Sequence, residues 1–159
     1  MRQTPLSYRK RTACLLFFAA IIVGTPVIAG GSAVQWISYE AGMKKISEQD
    51  KKGFIHFYTD WCKYCKMMSQ KTFSDEAVAS YLNHHFVPIR VNAEEQKTVA
   101  EEYGVSRFPN NWFIAEDQSS LGKRPGFIPA EDLLHMLEFV NTERYKEMTF
   151  QDYMENTNK

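Results

Sequence analysis

Two cysteines separated by two residues are the strongest chemical feature of this chain of 159 residues. They lie in the segment Trp61-Cys62-Lys63-Tyr64-Cys65, directly after an apolar run that is typical of a buried strand. We expect the strand to end before this segment and a helix to begin within it. A thiolate at a helix N-terminus faces unpaired backbone N–H groups, which lower its pKa. The spacing also keeps the second sulfur within reach of the first, so the pair is suited to forming and breaking a disulfide.

The first 29 residues have the pattern of a secretory signal peptide. They contain four basic residues and no acid, and an apolar run of eleven residues occupies 13–23. Small residues precede an expected cleavage site after Ala29. An uncleaved membrane anchor is the alternative, but eleven residues are fewer than the about 20 that a helix needs to cross a bilayer. The sequence therefore predicts a signal peptide at 1–29 and a mature chain that is periplasmic or secreted.

Removal of the signal peptide leaves Cys62 and Cys65 as the mature chain's cysteines, because the third, Cys14, lies within the apolar run. A bridge that closes so small a loop stabilises a fold comparatively little, which favours redox chemistry over a structural disulfide. Half of a zinc site is a second alternative, but tetrahedral zinc takes four ligands. The chain's histidines show no matching second-pair spacing; they are His56, His84, His85 and His135. We therefore predict no metal site and no cofactor beyond the redox disulfide.

Composition and charge restrict the class of protein. Hydrophobic residues make up 44% of the chain, which is sufficient for the core of one domain. After cleavage at Ala29, 15 basic residues stand against 19 acidic ones, giving a formal charge of about −4. No basic face interleaved with aromatic residues occurs, so we do not expect a nucleic-acid partner.

Strands alternate with helices along the chain, which predicts an α/β domain with a central mixed sheet flanked by helices. We assign 30–35 to a flexible leader, 36–141 to the domain, including an added N-terminal helix, and 142–159 to a C-terminal extension. Pro88 predicts an edge or bulged strand, and Pro129 suits the first position of the last domain helix. The predicted strands are 54–59, 86–91, 111–115 and 121–127, and the predicted helices are 38–49, 62–71, one that starts near 74, 94–103 and one that starts at 129.

Three segments resemble the thioredoxin superfamily. The segment 57–66 is similar to its active site, and 71–78 is more specifically similar to the C-terminal thioredoxin-like domain of the membrane thiol:disulfide interchange protein DsbD. The segment 103–109, Tyr-Gly-Val-Ser-Arg-Phe-Pro, resembles the loop that carries the superfamily's cis-proline. The resemblance extends from about 36 to 140 and implies a thioredoxin fold.

The resemblance also implies roles for individual residues. Cys62 would be the exposed nucleophile and Cys65 the buried resolving thiol. Pro109 would be cis and face the cysteines, which would let the backbone of Phe108 pair with an extended substrate. Trp61 and Tyr64 would supply an apolar rim at this substrate-binding site.

His56 is a departure from the family pattern. Many thioredoxins carry a buried acid six residues before the first cysteine, and this acid helps to deprotonate the resolving cysteine. A neutral imidazole could accept that proton, since the reference pKa of histidine is near 6.5. His56 could equally be a packed polar residue on the strand, so the sequence leaves its role open.

The resemblance implies a monomeric thiol:disulfide oxidoreductase that reduces disulfides in partner proteins and exchanges electrons with a thiol/disulfide partner, such as a DsbD-like membrane protein. Two alternatives stay open: a non-catalytic thioredoxin-like module that binds a metal or a partner, and a disulfide oxidant or isomerase. The sequence does not fix the direction of electron flow.

Overall fold

The structure is a computed structural model that describes residues 33–157. The predicted signal peptide, residues 30–32 of the predicted leader and residues 158–159 lie outside the described residues. The described end of the leader is anchored rather than free. The side chain of Asn83 donates to the carbonyl of Ala33 at 2.9 Å and accepts from the backbone N–H of Gln35 at 2.8 Å.

Four strands form one mixed sheet in the order β2-β1-β3-β4. The central strand β1 pairs in parallel with β2 and antiparallel with β3, and β3 pairs antiparallel with β4 across a turn at 116–118. The strands are β1 (Gly53–Tyr58), β2 (Val87–Asn92), β3 (Asn110–Ile114) and β4 (Ser120–Pro125).

Six α-helices and one 3₁₀ helix occur within residues 33–157. The α-helices are α1 (Tyr39–Gln49), α2 (Lys63–Lys71), α3 (Glu76–His85), α4 (Lys97–Glu102), α5 (Ala130–Asn141) and α6 (Phe150–Thr157), and the 3₁₀ helix is Arg144–Lys146. Polar residues cap the early helices. Ser38 precedes α1, and the carboxylate of Asp75 accepts a hydrogen bond from the backbone N–H of Val78 at 3.1 Å at the start of α3.

Alternating side chains of β1 enter two apolar cores, one on each face of the sheet. Phe54 lies in the core formed with α2, α3 and α5, whereas Ile55 and Phe57 lie in the core formed with α1 and α4. The strand is therefore covered on both faces, and the predicted α/β architecture with a central mixed sheet is confirmed. His56 lies between these apolar residues and points to the same face as Phe54.

The prolines occupy special positions. Pro88 lies in β2, an edge strand of the sheet as predicted, and its carbonyl accepts from the N–H of Ile37 at 3.1 Å. The prediction that Pro129 occupies the first helical position is wrong. Its ψ of 158° is extended, so it is the N-cap residue and α5 begins at Ala130.

The helix predicted for 94–103 is shorter than expected. Asn92 accepts from the N–H of Glu94 through its side chain, and its carbonyl accepts from Glu95 and Gln96. These hydrogen bonds hold a turn over 92–96, so α4 begins only at Lys97. Local capping by asparagine competes with the helix here.

The C-terminal segment packs on α5. Phe139 contacts the rings of Phe150 and Tyr153, with centroid distances of 5.4 and 5.3 Å. None of the helices in the described part of the chain is both long enough and apolar enough to cross a membrane.

Candidate active site

Cys62 is the N-cap residue of α2. Its backbone is extended, with φ −69° and ψ 107°, and the helix begins at Lys63. The backbone N–H of Cys65 donates to the Sγ of Cys62 at 3.1 Å. A sulfur in this position faces the unpaired N–H groups and the positive end of the helix dipole, an environment that stabilises a thiolate.

Cys62 and Cys65 form a disulfide, with Cα atoms 5.3 Å apart. In this oxidised form both are covered: Cys62 is 4% exposed and Cys65 is 2% exposed. The resemblance implied that Cys62 is exposed and Cys65 is buried. In the oxidised form Cys62 is buried as well, and the exposed fractions of the two residues are nearly equal. The two neighbouring aromatic residues are the exposed ones, at 67% for Trp61 and 56% for Tyr64.

The loop before β3 lies against the cysteine motif. The peptide bond between Phe108 and Pro109 is cis. The rings of Phe108 and Trp61 meet edge to face, with centroids 6.1 Å apart, and the carbonyl of Pro109 accepts from the N–H of Gly126 at 2.8 Å. The tertiary structure thus joins two segments that are more than forty residues apart in the chain, as the resemblance implied.

His56 is fully buried on β1, and its Nδ1 lies 2.8 Å from the Oδ1 of Asn111 on β3. The amide nitrogen of Asn111 donates to the carbonyl of Arg124 at 3.1 Å, which leaves the amide oxygen for His56. Nδ1 must then carry the hydrogen and donate to Asn111. Among the residues that the structure describes, none provides a hydrogen-bond partner for the lone pair of Nε2.

Burial lowers the pKa of His56 to about 4, because a charged imidazole would lose its hydration in the core. The hydrogen bond with Asn111 opposes this decrease, and the positive charge of Arg90 adds to it. His56 is therefore neutral near pH 7. A neutral imidazole with a free lone pair is able to accept a proton when negative charge develops nearby.

His56 belongs to a polar row that crosses the sheet. It is in register with Arg90 on β2 and with Asn111 on β3. The Nδ2 of Asn111 approaches the Sδ of Met68 at 3.9 Å, and Met68 follows Cys65 by one helical turn. The row therefore lies beneath the helix that carries the cysteines.

Sequence reasoning missed Asn111 and Arg90 as members of this site. The signal that could have found them is a polar residue in a strand whose neighbours are apolar. The guanidinium of Arg90 lies 4.1 Å from the centre of the Tyr58 ring, and its Nη2 donates to the Oγ of Ser69 at 3.3 Å. Asn111 is fully buried and Arg90 is partly buried, so each needs polar or aromatic partners within the protein.

A cavity of about 270 Å³ adjoins Cys65. Cys65 lies on its wall together with Tyr58, Ser69 and Arg90. Cys65 is buried, and the cavity wall carries two cations, Lys66 and Arg90, and one carboxylate, Asp60. Such surroundings favour a negative charge on sulfur when the disulfide opens.

The chain matches the sequence profile of the thioredoxin-like domain over residues 39–141. It is 31% identical over 132 residues to protein disulfide isomerase-like 2-2 of Oryza sativa subsp. japonica. This match covers 82% of this chain and 34% of that protein. It is also 31% identical over 104 residues to the thiol:disulfide interchange protein DsbD of Campylobacter jejuni strain RM1221, covering 64% of this chain and 18% of that protein. The chain thus spans about a third or less of the length of these relatives.

A solved structure agrees with the sequence comparisons. The C-terminal domain of DsbD from Neisseria meningitidis in its oxidised form matches with a TM-score of 0.54 and 28% identity, covering 62% of this chain and 90% of that domain. The predicted thioredoxin fold and the predicted similarity to DsbD are both confirmed. The chain belongs to the thioredoxin-like family, and its Cys62–Cys65 pair forms a disulfide within a Cys-x-x-Cys motif.

Proposed function

We propose that this protein reduces disulfides in partner proteins, acting as a monomer in the periplasm or outside the cell after removal of residues 1–29. The observation that carries the proposal is the position of Cys62 at the N-cap of α2, where its sulfur accepts the N–H of Cys65. A sulfur held in this way is a better thiolate than a free cysteine, and the thiolate is the attacking species in disulfide exchange.

The reaction begins with the reduced protein. The thiolate of Cys62 attacks one sulfur of the partner disulfide, a bond forms between the two proteins, and the other partner sulfur leaves as a thiolate that takes up a proton. Trp61 and Phe108 provide an apolar surface beside this bond. The partner segment lies along the loop that ends at Pro109.

The second step releases the partner. Cys65 loses its proton and attacks the sulfur of Cys62, so the mixed disulfide breaks and the second partner sulfur leaves as a thiolate. The protein is left with the Cys62–Cys65 disulfide, and two electrons have passed to the partner. We assign the proton of Cys65 to Nε2 of His56, whose other nitrogen is fixed by Asn111. No cofactor takes part beyond the cysteine pair.

The direction of electron flow rests on the similarity to DsbD. Reduction of the protein's own disulfide requires a dithiol donor, for which a DsbD-like membrane protein is suitable. Potentials of such pairs range from about −270 to about −120 mV, so a reductase is expected near the lower value. A potential near the upper value would contradict the proposed direction and favour an oxidant.

Insulin reduction tests the activity. We expect the wild-type protein with a dithiol donor to reduce insulin, and Cys62→Ser to give only the uncatalysed rate, because the attacking sulfur is absent. Cys65→Ser is the matched control: it retains the attacking sulfur and is expected to accumulate a mixed disulfide that dithiothreitol releases.

A wild-type rate equal to that of Cys62→Ser would contradict an enzymatic role. Copper or zinc retained in a stoichiometric amount after purification would then favour a binding module.

A further inference from the structure

The exposed side of α2 carries a local positive charge. Lys63, Lys66 and Lys71 are exposed, and the helix contains no acidic residue. Within residues 33–157, none of the three forms an ion pair. This contrasts with the rest of the described chain, which has 11 basic and 19 acidic residues. The cations are therefore concentrated on the helix that begins at the cysteine pair.

Two of these lysines border a concave surface next to Cys62. The concavity has a volume of about 440 Å³, and its walls are Trp61, Lys63, Lys66, Met67 and Gln70. An aromatic ring and a thioether offer contact to an apolar side chain, while two ammonium groups offer hydrogen bonds and charge to a carboxylate. No acidic side chain lines this surface among the described residues.

A further cation lies across the cysteine motif. Arg107 is exposed and directly precedes Phe108, whose ring contacts Trp61. A segment bound over Cys62 would therefore meet positive charge on both sides of the Trp61–Phe108 pair.

The carboxylate nearest to the motif along the chain, that of Asp60, lies beside Cys65 and not beside Lys63. Asp60 accepts from the Nδ2 of Asn92 at 3.4 Å, and Glu94 accepts from the backbone N–H of Asp60 at 3.1 Å. Asp60 lines the cavity beside Cys65 rather than the concavity beside Trp61. The cavity beside Cys65 thus combines Asp60 with Lys66 and Arg90, whereas the concavity beside Trp61 has cations and no acid among the described residues, and this difference can orient a charged substrate.

We propose that the α2 surface formed by Trp61, Lys63, Lys66 and Met67 selects disulfides flanked by acidic residues. The inference rests on the proposed reductase function and names its substrate class. Carboxylates of the partner lie along Lys63 and Lys66, and an apolar side chain next to them packs on Trp61. Opposite charges raise the rate of encounter as well as the lifetime of the complex.

Single-turnover reduction of model peptides tests the proposal. Three peptides would share one disulfide loop and differ only in their flanking residues, which are aspartate, serine or lysine. The pre-reduced protein is mixed with each peptide, the reaction is quenched with acid, and the reduced peptide is separated by chromatography. The readout is the ratio of the second-order rate constants for the acidic and serine peptides, because a change in Cys62 reactivity cancels in this ratio.

We expect the acidic peptide to react fastest and the lysine peptide slowest. The double variant K63Q/K66Q should lower the ratio by about 3- to 10-fold, the scale expected for electrostatic steering. Raising the salt from about 0.05 to about 0.5 M should also reduce the ratio, because screening shortens the range of the charges. The control K44Q/K97Q removes the same charge from α1 and α4, on the other face of the sheet, and should leave the ratio unchanged.

Equal rates for the three peptides would overturn the proposal while leaving the reductase function intact. A loss in K63Q/K66Q that is equal for all three peptides would also overturn it, since the lysines would then act only on the Cys62 thiolate. A wild-type protein that reduces none of the peptides faster than Cys62→Ser would instead contradict the reductase function itself.

Discussion

At the scale of single residues, the hydrogen bond between His56 and Asn111 fixes the tautomer of the buried histidine. Asn111 uses its nitrogen for the carbonyl of Arg124, so its oxygen fixes the hydrogen of His56 on Nδ1. A neutral imidazole therefore stands at the position where the resemblance to the thioredoxin superfamily implied an acid. Its cost is a dependence of stability on pH, since protonation of His56 is unfavourable in the folded state.

The oxidised protein should lose stability on acidification. The folded pKa of His56 is about 4 and the reference value is 6.5, so the unfolded chain binds the proton first. Stability is full above pH 6.5 and falls as the pH decreases towards 4, by about 2 kcal/mol at pH 5 from this residue alone. Urea unfolding of the wild type and of His56→Asn at pH 7 and pH 5 measures the difference. An equal decrease in both proteins would contradict this assignment.

At the scale of secondary-structure elements, the close contact of α1 with β2 supports the edge strand that carries Arg90. Gly42 makes this contact possible. A Cβ atom at this position would overlap with Cγ1 and Cδ1 of Ile89, a fully buried residue of β2. The absence of a side chain thus lets the helix backbone approach the strand. The intrinsic preference of helices for alanine over glycine acts in the opposite direction.

Gly42→Ala should therefore destabilise the protein. Overpacking in a filled core costs about 1–3 kcal/mol, whereas the helix preference returns up to about 1 kcal/mol. We expect a net decrease of about 1 kcal/mol in the free energy of unfolding, measured by denaturant titration. Gly122→Ala on β4 is the control, because no atom lies within 4 Å of the added carbon. Equal or greater stability of Gly42→Ala would show that Ile89 can move aside.

At the scale of the whole molecule, the C-terminal segment is part of the folded domain. Lys52 is buried, and its Nζ contacts the carboxylates of Glu116 at 2.5 Å and Glu143 at 3.3 Å. It thereby connects the start of the sheet with the β3–β4 turn and with the C-terminal segment. The aromatic contacts of Phe150 with Phe139 add apolar burial to this link. Neither set of contacts includes the cysteine motif.

Phe150→Ala should lower the stability of the protein without changing its activity. The ring is half-buried, so we expect a loss of about 1–2 kcal/mol, less than the about 3–5 kcal/mol for a fully buried phenylalanine. Thermal unfolding measures this loss, and Gln151→Ala, an exposed position on the same helix, is the control. The insulin-reduction rate per folded molecule should not change. A decreased rate at full folding would indicate that the C-terminal segment acts on the site.

Local patterns in the sequence were sufficient to predict the element order and the cysteine chemistry. Apolar patterns located the strands and the helices that start near 38 and 74, because periodicity and capping depend on neighbours in the chain. The structure places the N-cap of the second of these helices at Asp75. The predicted helix starts at Pro129 and at residue 94 were wrong: Pro129 is extended and is the N-cap of α5, and the turn held by Asn92 delays the start of α4 to Lys97. The role of Asn111 could not be predicted, since its partners His56 and Arg124 come from two other strands.

The sequence by itself determined the family and the reactive pair, because Cys62 and Cys65 are close along the chain and the helix start places one against the other. Only the tertiary structure decided the protonation of His56 and the charge on each side of the site. Burial and the fixed amide of Asn111 require contacts across the sheet. The surface of α2 is likewise completed by the loop at Phe108, because folding brings the Phe108 ring into contact with Trp61.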